Sequence, residues 1–283
     1  MYSINCNGKI LVLDDPALMG IINLTPDSFY KGHLSSGITE LVAMAEKMVS
    51  EGADIIDIGG QSTRPGSKMI GAEEEMQRVL PLIEALHIKN PEIIISIDTF
   101  YSAVAKAASI AGASIINDIS AGAIDRDMLP TVAALKRPYI AMHMKGLPGT
   151  MQKEARYKDV VKELLDFFIQ KQEECRNAGI IDLVIDPGFG FGKTIEHNFS
   201  LLKSLSVFRI FGKPLLAGLS RKSTVYKTLG STPAEALNGT TVLNTLALLN
   251  GASILRVHDV KEARETVTLF KAYKKAPPQG GAY

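Results

Sequence analysis

Tryptophan is absent from the 283 residues, and cysteine occurs only as Cys6 and Cys175. Two widely separated thiols, with no metal-ligand spacing and no secretory leader pattern, exclude a disulfide scaffold and set the expectation of reduced thiols in a cytoplasmic protein. Long apolar runs are missing too. Nothing reaches the roughly 18 residues a membrane-spanning helix needs, so no membrane partner is expected. Charge of one sign is equally lacking: 31 Lys and Arg stand against 30 Asp and Glu, a net charge of +1. That balance offers no basic footprint for nucleic acid and favours a small-molecule ligand.

What is present is apolar and regularly arranged. Hydrophobic residues make up 46% of the chain and charged residues 22%, enough for one large core. Residues 1–15 carry polar residues throughout and include Asn7-Gly8 between two alternating segments, the signal for a tight β-hairpin. Eight short apolar runs follow: Leu18–Leu24, Ile55–Gly59, Ile93–Asp98, Ser114–Ile119, Tyr139–Met142, Leu183–Asp186, Pro214–Gly218 and Ile254–Val257. Amphipathic stretches of helical spacing separate them, among them Leu41–Ser50, Glu73–Leu86, Ala103–Ala111, Val160–Arg176 and Ala234–Leu249. Strand then helix, repeated, means a parallel sheet covered by helices. A doubly wound open sheet shares that alternation, but eight units within about 250 residues favour closure. The expected fold is α/β, a (β/α)8 TIM barrel over residues 16–273 as one domain. Residues 1–15 form its hairpin, and the Pro- and Gly-rich residues 274–283 are read as a flexible tail.

Nearly every run ends on a residue able to act on a ligand: Asn23, Asp57, Asp98, Asn117 with Asp118, His143, Asp186, Lys222 just after the seventh run, and Arg256 with His258. In barrels the C-terminal strand ends form the active face, so together these argue for a site, although each Asp or Asn alone could be a helix cap. Asp186 to Thr194 contains Gly192-Lys193-Thr194, which resembles the end of a phosphate-binding loop. The position five residues before Gly192 is Pro187, which has no N–H to donate, so nucleotide hydrolysis is excluded and the glycines are read as letting backbone approach a flat ligand. Residues 59–66 are too polar and too long for a minimal connection and suit an anion. Ser220-Arg221-Lys222-Ser223 should open a helix toward a carboxylate or phosphate. Arg256 and His258 have strand spacing and point to one side, unless Arg256 is tied up with Asp259.

The segments 23–29, 60–66, 96–99, 117–120, 186–192, 220–223 and 256–258 together resemble dihydropteroate synthases, over nearly the whole chain. That resemblance implies condensation of 6-hydroxymethyl-7,8-dihydropterin pyrophosphate with 4-aminobenzoate in folate biosynthesis, the reaction sulfonamides block. It implies a pterin pocket of Asp98, Asn117, Met142, Asp186, Phe191, Gly218 and Lys222. Asn23, Thr63, Arg64, Arg256 and His258 would hold pyrophosphate, and Thr63, Pro65, Phe191, Ser220 and Arg221 aminobenzoate. Asp98, Lys222, Arg256 and His258 would be catalytic. Mg2+ would meet Asn23, helped by Asp27, and a homodimer is implied by analogy. Two departures stand out: Gln61 where many relatives have Glu, and Tyr30 to His33 where Asp-Gly-Gly is frequent. A methyltetrahydrofolate:corrinoid methyltransferase has similar Asp and Asn positions but less use for the anion ligands, and a silent pterin-binding paralogue would lose those ligands first.

Overall fold

The computed structural model describes residues 2–24, 34–61, 69–146, 149 and 151–277. Strands β1 (Ser3–Cys6) and β2 (Lys9–Val12) pair antiparallel, Ser3 opposite Val12 and Cys6 opposite Lys9. Asn7 and Gly8 both have positive φ, 56° and 89°, as a two-residue turn matching the strand twist requires. The Asn5 side-chain oxygen accepts the Gly8 N–H at 2.7 Å and fixes that turn.

The barrel strands are β3 (Ala17–Asn23), β4 (Ile55–Gly59), β5 (Ile94–Asp98), β6 (Ile115–Asp118), β7 (Tyr139–Met142), β8 (Leu183–Asp186), β9 (Leu216–Ala217) and β10 (Ile254–Val257). Each pairs in parallel with its neighbour, β3 meets β10, and a bridge from Ile185 to Leu215 closes the ring between β8 and the start of β9. All eight expected strands are there. Around them run α1 (Leu34–Ser50), α2 (Ala72–Lys89), α3 (Ser102–Ala111), α4 (Met128–Leu135), α5 (Val160–Ala178), α6 (Ile195–Lys203), α7 (Ser223–Tyr226), α8 (Leu237–Leu249) and α9 (Val260–Lys275). Helix α1 starts seven residues before its apolar stripe, because exposed Thr39 and Glu40 interrupt the periodicity. Helix α8 starts three residues later than expected, because Pro233–Glu235 is a separate 3-10 turn closed by a Thr232–Glu235 capping box.

Two buried clusters divide the strand residues by parity. Leu18, Ile56, Ile95, Ile116, Leu183 and Leu255 face outward onto the helices. Met19, Ile55, Ile115, Ile140, Val184, Leu216 and Ile254 face into the barrel, where they meet Ile4, Cys6 and Leu13 of the hairpin. The inward residues lie at strand starts, so the hairpin is a stopper in the N-terminal mouth. Both cysteines are buried and unpaired, and burial pushes each thiol up to about 12. They are inert packing groups.

Candidate active site

Strand parity decides which polar residues enter the C-terminal mouth. Asn117 lies two residues beyond Ile115, Met142 beyond Ile140, Asp186 beyond Val184, Gly218 beyond Leu216 and Arg256 beyond Ile254. Asp98, two beyond buried Ser96, completes the ring. Asp118 and His143 have the other parity, two residues beyond outward-facing Ile116 and Ala141. Both were expected at the rim and neither belongs there. Asp118 instead accepts the Tyr139 hydroxyl at 2.7 Å, the Ser120 hydroxyl and N–H, and the Gly122 N–H, and so ties down the turn after β6. The His143 ring packs edge-on to Phe167, 4.9 Å between centroids. Burial drives its pKa down to about 2, with Lys193 adding to the effect.

At the centre of the mouth, Arg256 donates from Nε to Asp57 Oδ2 and from Nη2 to Asp98 Oδ2, both at 2.6 Å. Asn117 Nδ2 also donates to Asp57 Oδ2, at 3.1 Å. Asp57 therefore sits one layer below the rim as the anchor of Arg256. Asp259 is not the partner of Arg256. It receives Arg221 through a two-pronged pair at 2.9 and 2.8 Å. Arg221 also donates to the carbonyls of Pro233 and Ala234. Its guanidinium thus braces the loop before α8. Burial opposes the charge of Arg256, but Asp57 and Asp98 outweigh it and hold its pKa above the usual arginine value.

Burial pushes Asp98 up to about 7 against the pull of Arg256, with Asp57 raising it further. Burial raises Asp186 as well, opposed by Lys222. Lys222 falls to about 8 by burial, with Asp186 pulling the other way. Its ammonium donates to Phe189 O at 2.5 Å and lies 4.7 Å above the Phe191 ring. The mouth therefore presents carboxylates, a carboxamide and an ammonium beside an aromatic face. Such a set can accept adjacent N–H groups and donate to a ring carbonyl of a flat heterocycle.

Asn23 closes β3, and its side-chain oxygen borders Gly59 and hence Asp98. Ser220 is buried, accepts the His258 N–H at 3.2 Å and lies 3.0 Å from His258 Nδ1. His258 is exposed at the rim, yet loss of solvation around its ring lowers its pKa to about 4, with Arg256 contributing next. The helix expected behind Ser220 is only the single turn Ser223–Tyr226, and Arg221 precedes it in left-handed backbone at φ 53°. Thr63, Arg64, Pro65, Asp27 and Tyr30 to His33 lie outside the described residues.

The glycines of 186–192 have a different task from the one expected. A Cβ on Gly188 would lie 2.0 Å from His143 O and one on Gly192 2.3 Å from Lys145 O, while Gly190 approaches the Lys222 stem. They let two stretches of backbone touch, and the ligand-facing surface comes from Phe191 and Lys222. Lys193, far from any phosphate role, is buried against this turn, and Thr194 caps α6 with His197.

Sequence reading missed Glu75. It is one of three acids in the first turn of α2, yet it lies on the stripe of Val79, Leu82 and Leu86 and is fully buried against Gly60. Burial and then Asp98 push its carboxyl up to about 8, which favours the protonated form. The stripe, four residues before Val79, was the available signal. Gln61 was noted and its role is now visible: its amide accepts the Ile70 N–H at 3.0 Å and donates to Ile70 O at 3.2 Å. A carboxylate there could make only the first bond.

The profile of the pterin binding enzyme family matches residues 19–258. The dihydropteroate synthase of Escherichia coli K12 is 43% identical over 267 residues, 94% of each chain. This chain belongs to the dihydropteroate synthase family. Among solved structures, the Xanthomonas albilineans dihydropteroate synthase with 4-aminobenzoic acid superposes with a TM-score of 0.90 at 40% identity, over 97% of this chain and 99% of that one. The same enzyme in complex with 7,8-dihydropteroate gives 0.88 at 38% identity, over 98% and 100%.

Proposed function

We infer that this chain is a transferase that joins 6-hydroxymethyl-7,8-dihydropterin pyrophosphate to 4-aminobenzoate, giving 7,8-dihydropteroate and pyrophosphate. The observation that carries the reading is the convergence of Asp98, Asn117, Asp186, Lys222 and Arg256 on one barrel mouth. Asp186 would accept the adjacent N–H groups of the pterin edge, Lys222 would donate to its ring carbonyl and nitrogen, and Asn117 and Met142 would line the same pocket. Phe191 would face the ring. Arg256, His258 and Asn23 would meet the pyrophosphate, and Ser220 with Phe191 the aminobenzoate.

Cleavage of the methylene carbon–oxygen bond leads, the electron pair leaving with pyrophosphate. The cation left on the dihydropterin methylene is offset by the Asp98 carboxylate. The neutral aryl amine then forms the carbon–nitrogen bond and releases a proton to solvent. An aryl amine is already unprotonated at neutral pH, so no strong base is required, and catalysis is positional and electrostatic. Among the described residues no three His, Cys, Asp or Glu side chains are grouped to hold a metal. The neutral Asn23 is too poor a cage alone; with the pyrophosphate bound, Asn23 would help hold a Mg2+ that would supply neutralisation of the leaving-group charge. The decisive assay incubates purified protein with both substrates and Mg2+. Pyrophosphate release is expected, and its absence while pterin binds rejects the synthase in favour of a silent pterin-binding paralogue. Transfer of a methyl group from methyltetrahydrofolate to a corrinoid would instead support that rival.

A homodimer in the cytoplasm completes the reading, and no helix among the described residues is long and apolar enough to cross a membrane. Exposed apolar residues, Val242, Leu246 and Leu249 on α8 and Leu269 and Tyr273 on the adjacent α9, offer an apolar surface to a second copy. Covering it with a second copy removes this surface from water. Replacing Val242 and Leu246 by Glu is expected to give a monomer in analytical ultracentrifugation, and an unchanged dimer would place the contact elsewhere.

A further inference from the structure

The Gly192-Lys193-Thr194 motif is unused by the chemistry above, and its lysine has an unusual surrounding. Lys193 is buried, and its ammonium lies 2.9 Å from Gly188 O, 3.0 Å from Phe191 O, 3.2 Å from His143 O and 3.0 Å from His143 Nδ1. No carboxylate is among these bonded partners. Three backbone oxygens aimed at one dry point repel one another, and only a group with several N–H donors can occupy that point. The three carbonyls can only accept; a neutral amine has two hydrogens for them and an ammonium three, so the geometry calls for the ammonium even though burial lowers its pKa well below the lysine norm.

The four partners come from two segments only. One is His143, next to Met142 at the end of β7. The other is the turn 188–191, which carries the rest of the pocket wall. Gly188 binds Lys193 through its carbonyl and donates its N–H to Asp186 Oδ1 at 2.7 Å. Phe191 binds Lys193 through its carbonyl and presents its ring to Lys222. The turn is therefore gripped from behind by Lys193 and from the mouth by Lys222 at Phe189 O.

We propose that Lys193 is a positioning residue for the pterin pocket, a buried ammonium pin that fastens the 188–191 turn to the end of β7 and so fixes Asp186 and Phe191. The proposal rests on the pterin assignment given above. In Lys193→Met the carbonyls lose their donors in a site water does not reach, and the turn must open. Lys193→Gln keeps part of the donation and should fall between Met and wild type.

The test compares both variants with wild type after circular dichroism has shown them folded. The KM for the dihydropterin pyrophosphate should rise roughly 10-fold or more in Lys193→Met, as expected for buried acceptors left without donors, while the KM for 4-aminobenzoate, which shares only Phe191 with this turn and is measured with bound pterin holding Asp186 and the turn in place, rises by a smaller factor, about 3-fold. Amide exchange of the peptide spanning 187–192 should accelerate in the same order, Met more than Gln, without any ligand. Equal losses for both substrates, unchanged pterin KM in a folded Met variant, or failure of both variants to fold would each overturn the proposal. If wild type itself neither binds pterin nor releases pyrophosphate, the functional reading falls, and the exchange rates alone decide whether Lys193 pins the turn.

Discussion

Replacing Asp98 by Asn is expected to lower kcat/KM for the pterin pyrophosphate by roughly 10²- to 10³-fold, about 3–4 kcal/mol of transition-state stabilisation. Asn keeps the size and a hydrogen-bonding group and removes only the charge that would offset a cation in the mouth. The pH profile gives the sharper reading. Asp98 carries its charge above about 7, and Lys222 carries its own below about 8. Wild-type kcat/KM should thus rise with pH toward 7 and fall beyond 8, a narrow bell. In Asp98→Asn the acid limb should vanish while the alkaline limb stays. An acid limb that persists, or unchanged turnover, would sink the role given to Asp98.

Arg256→Met is expected to cost about 3–5 kcal/mol of stability, because it leaves Asp57 and Asp98 as buried carboxylates with no cation between them. The sign of the pH effect can be worked out. The folded Asp98 carboxyl already titrates far above its unfolded value of 3.8. The native state therefore binds more protons than the unfolded chain between these values, and stability falls as pH rises through them. Without Arg256 the folded value moves higher still and the fall extends to higher pH. Urea unfolding at pH 6 and pH 8 should show a larger deficit for the variant at pH 8. Equal deficits would mean that the guanidinium matters for packing alone. The same variant should lose pyrophosphate inhibition, which separates its anion role from its structural one.

Much of this was legible because period 2 is strict in a strand. Asp98, Asn117, Asp186 and Arg256 could be found from the sequence because each closes an apolar run of the right parity. The same rule, applied residue by residue, would have turned Asp118 and His143 outward. They were misread because a polar residue at a strand end was counted without asking which face its predecessors occupy. The pair of Arg256 with Asp57 joins positions 199 residues apart and has no local signature. Gly188 and Gly192 do carry one, as glycines, but whether backbone or ligand fills the space they leave is a tertiary fact. Lys193 was hidden for a related reason. A lysine after glycines suggests solvent or phosphate, and only the folded turn shows the carbonyls that surround it. Gln61 could be noticed as a departure, but its two-bond clasp on Ile70 depends on the chain returning to it.

The β1–β2 stopper has a consequence for the electrostatics above it. With Ile4, Cys6 and Leu13 filling the base, the barrel is a dead-end well, and water can reach Asp98, Asp186 and Arg256 only from above. A flat ligand seated across the mouth is then also a cork. Its arrival dries the layer beneath it and lowers the local dielectric just where charge is about to separate. The strength of the Arg256, Asp98 and Lys222 interactions is thereby coupled to occupancy, and a hairpin with no reactive residue of its own helps switch on the field that the reaction uses.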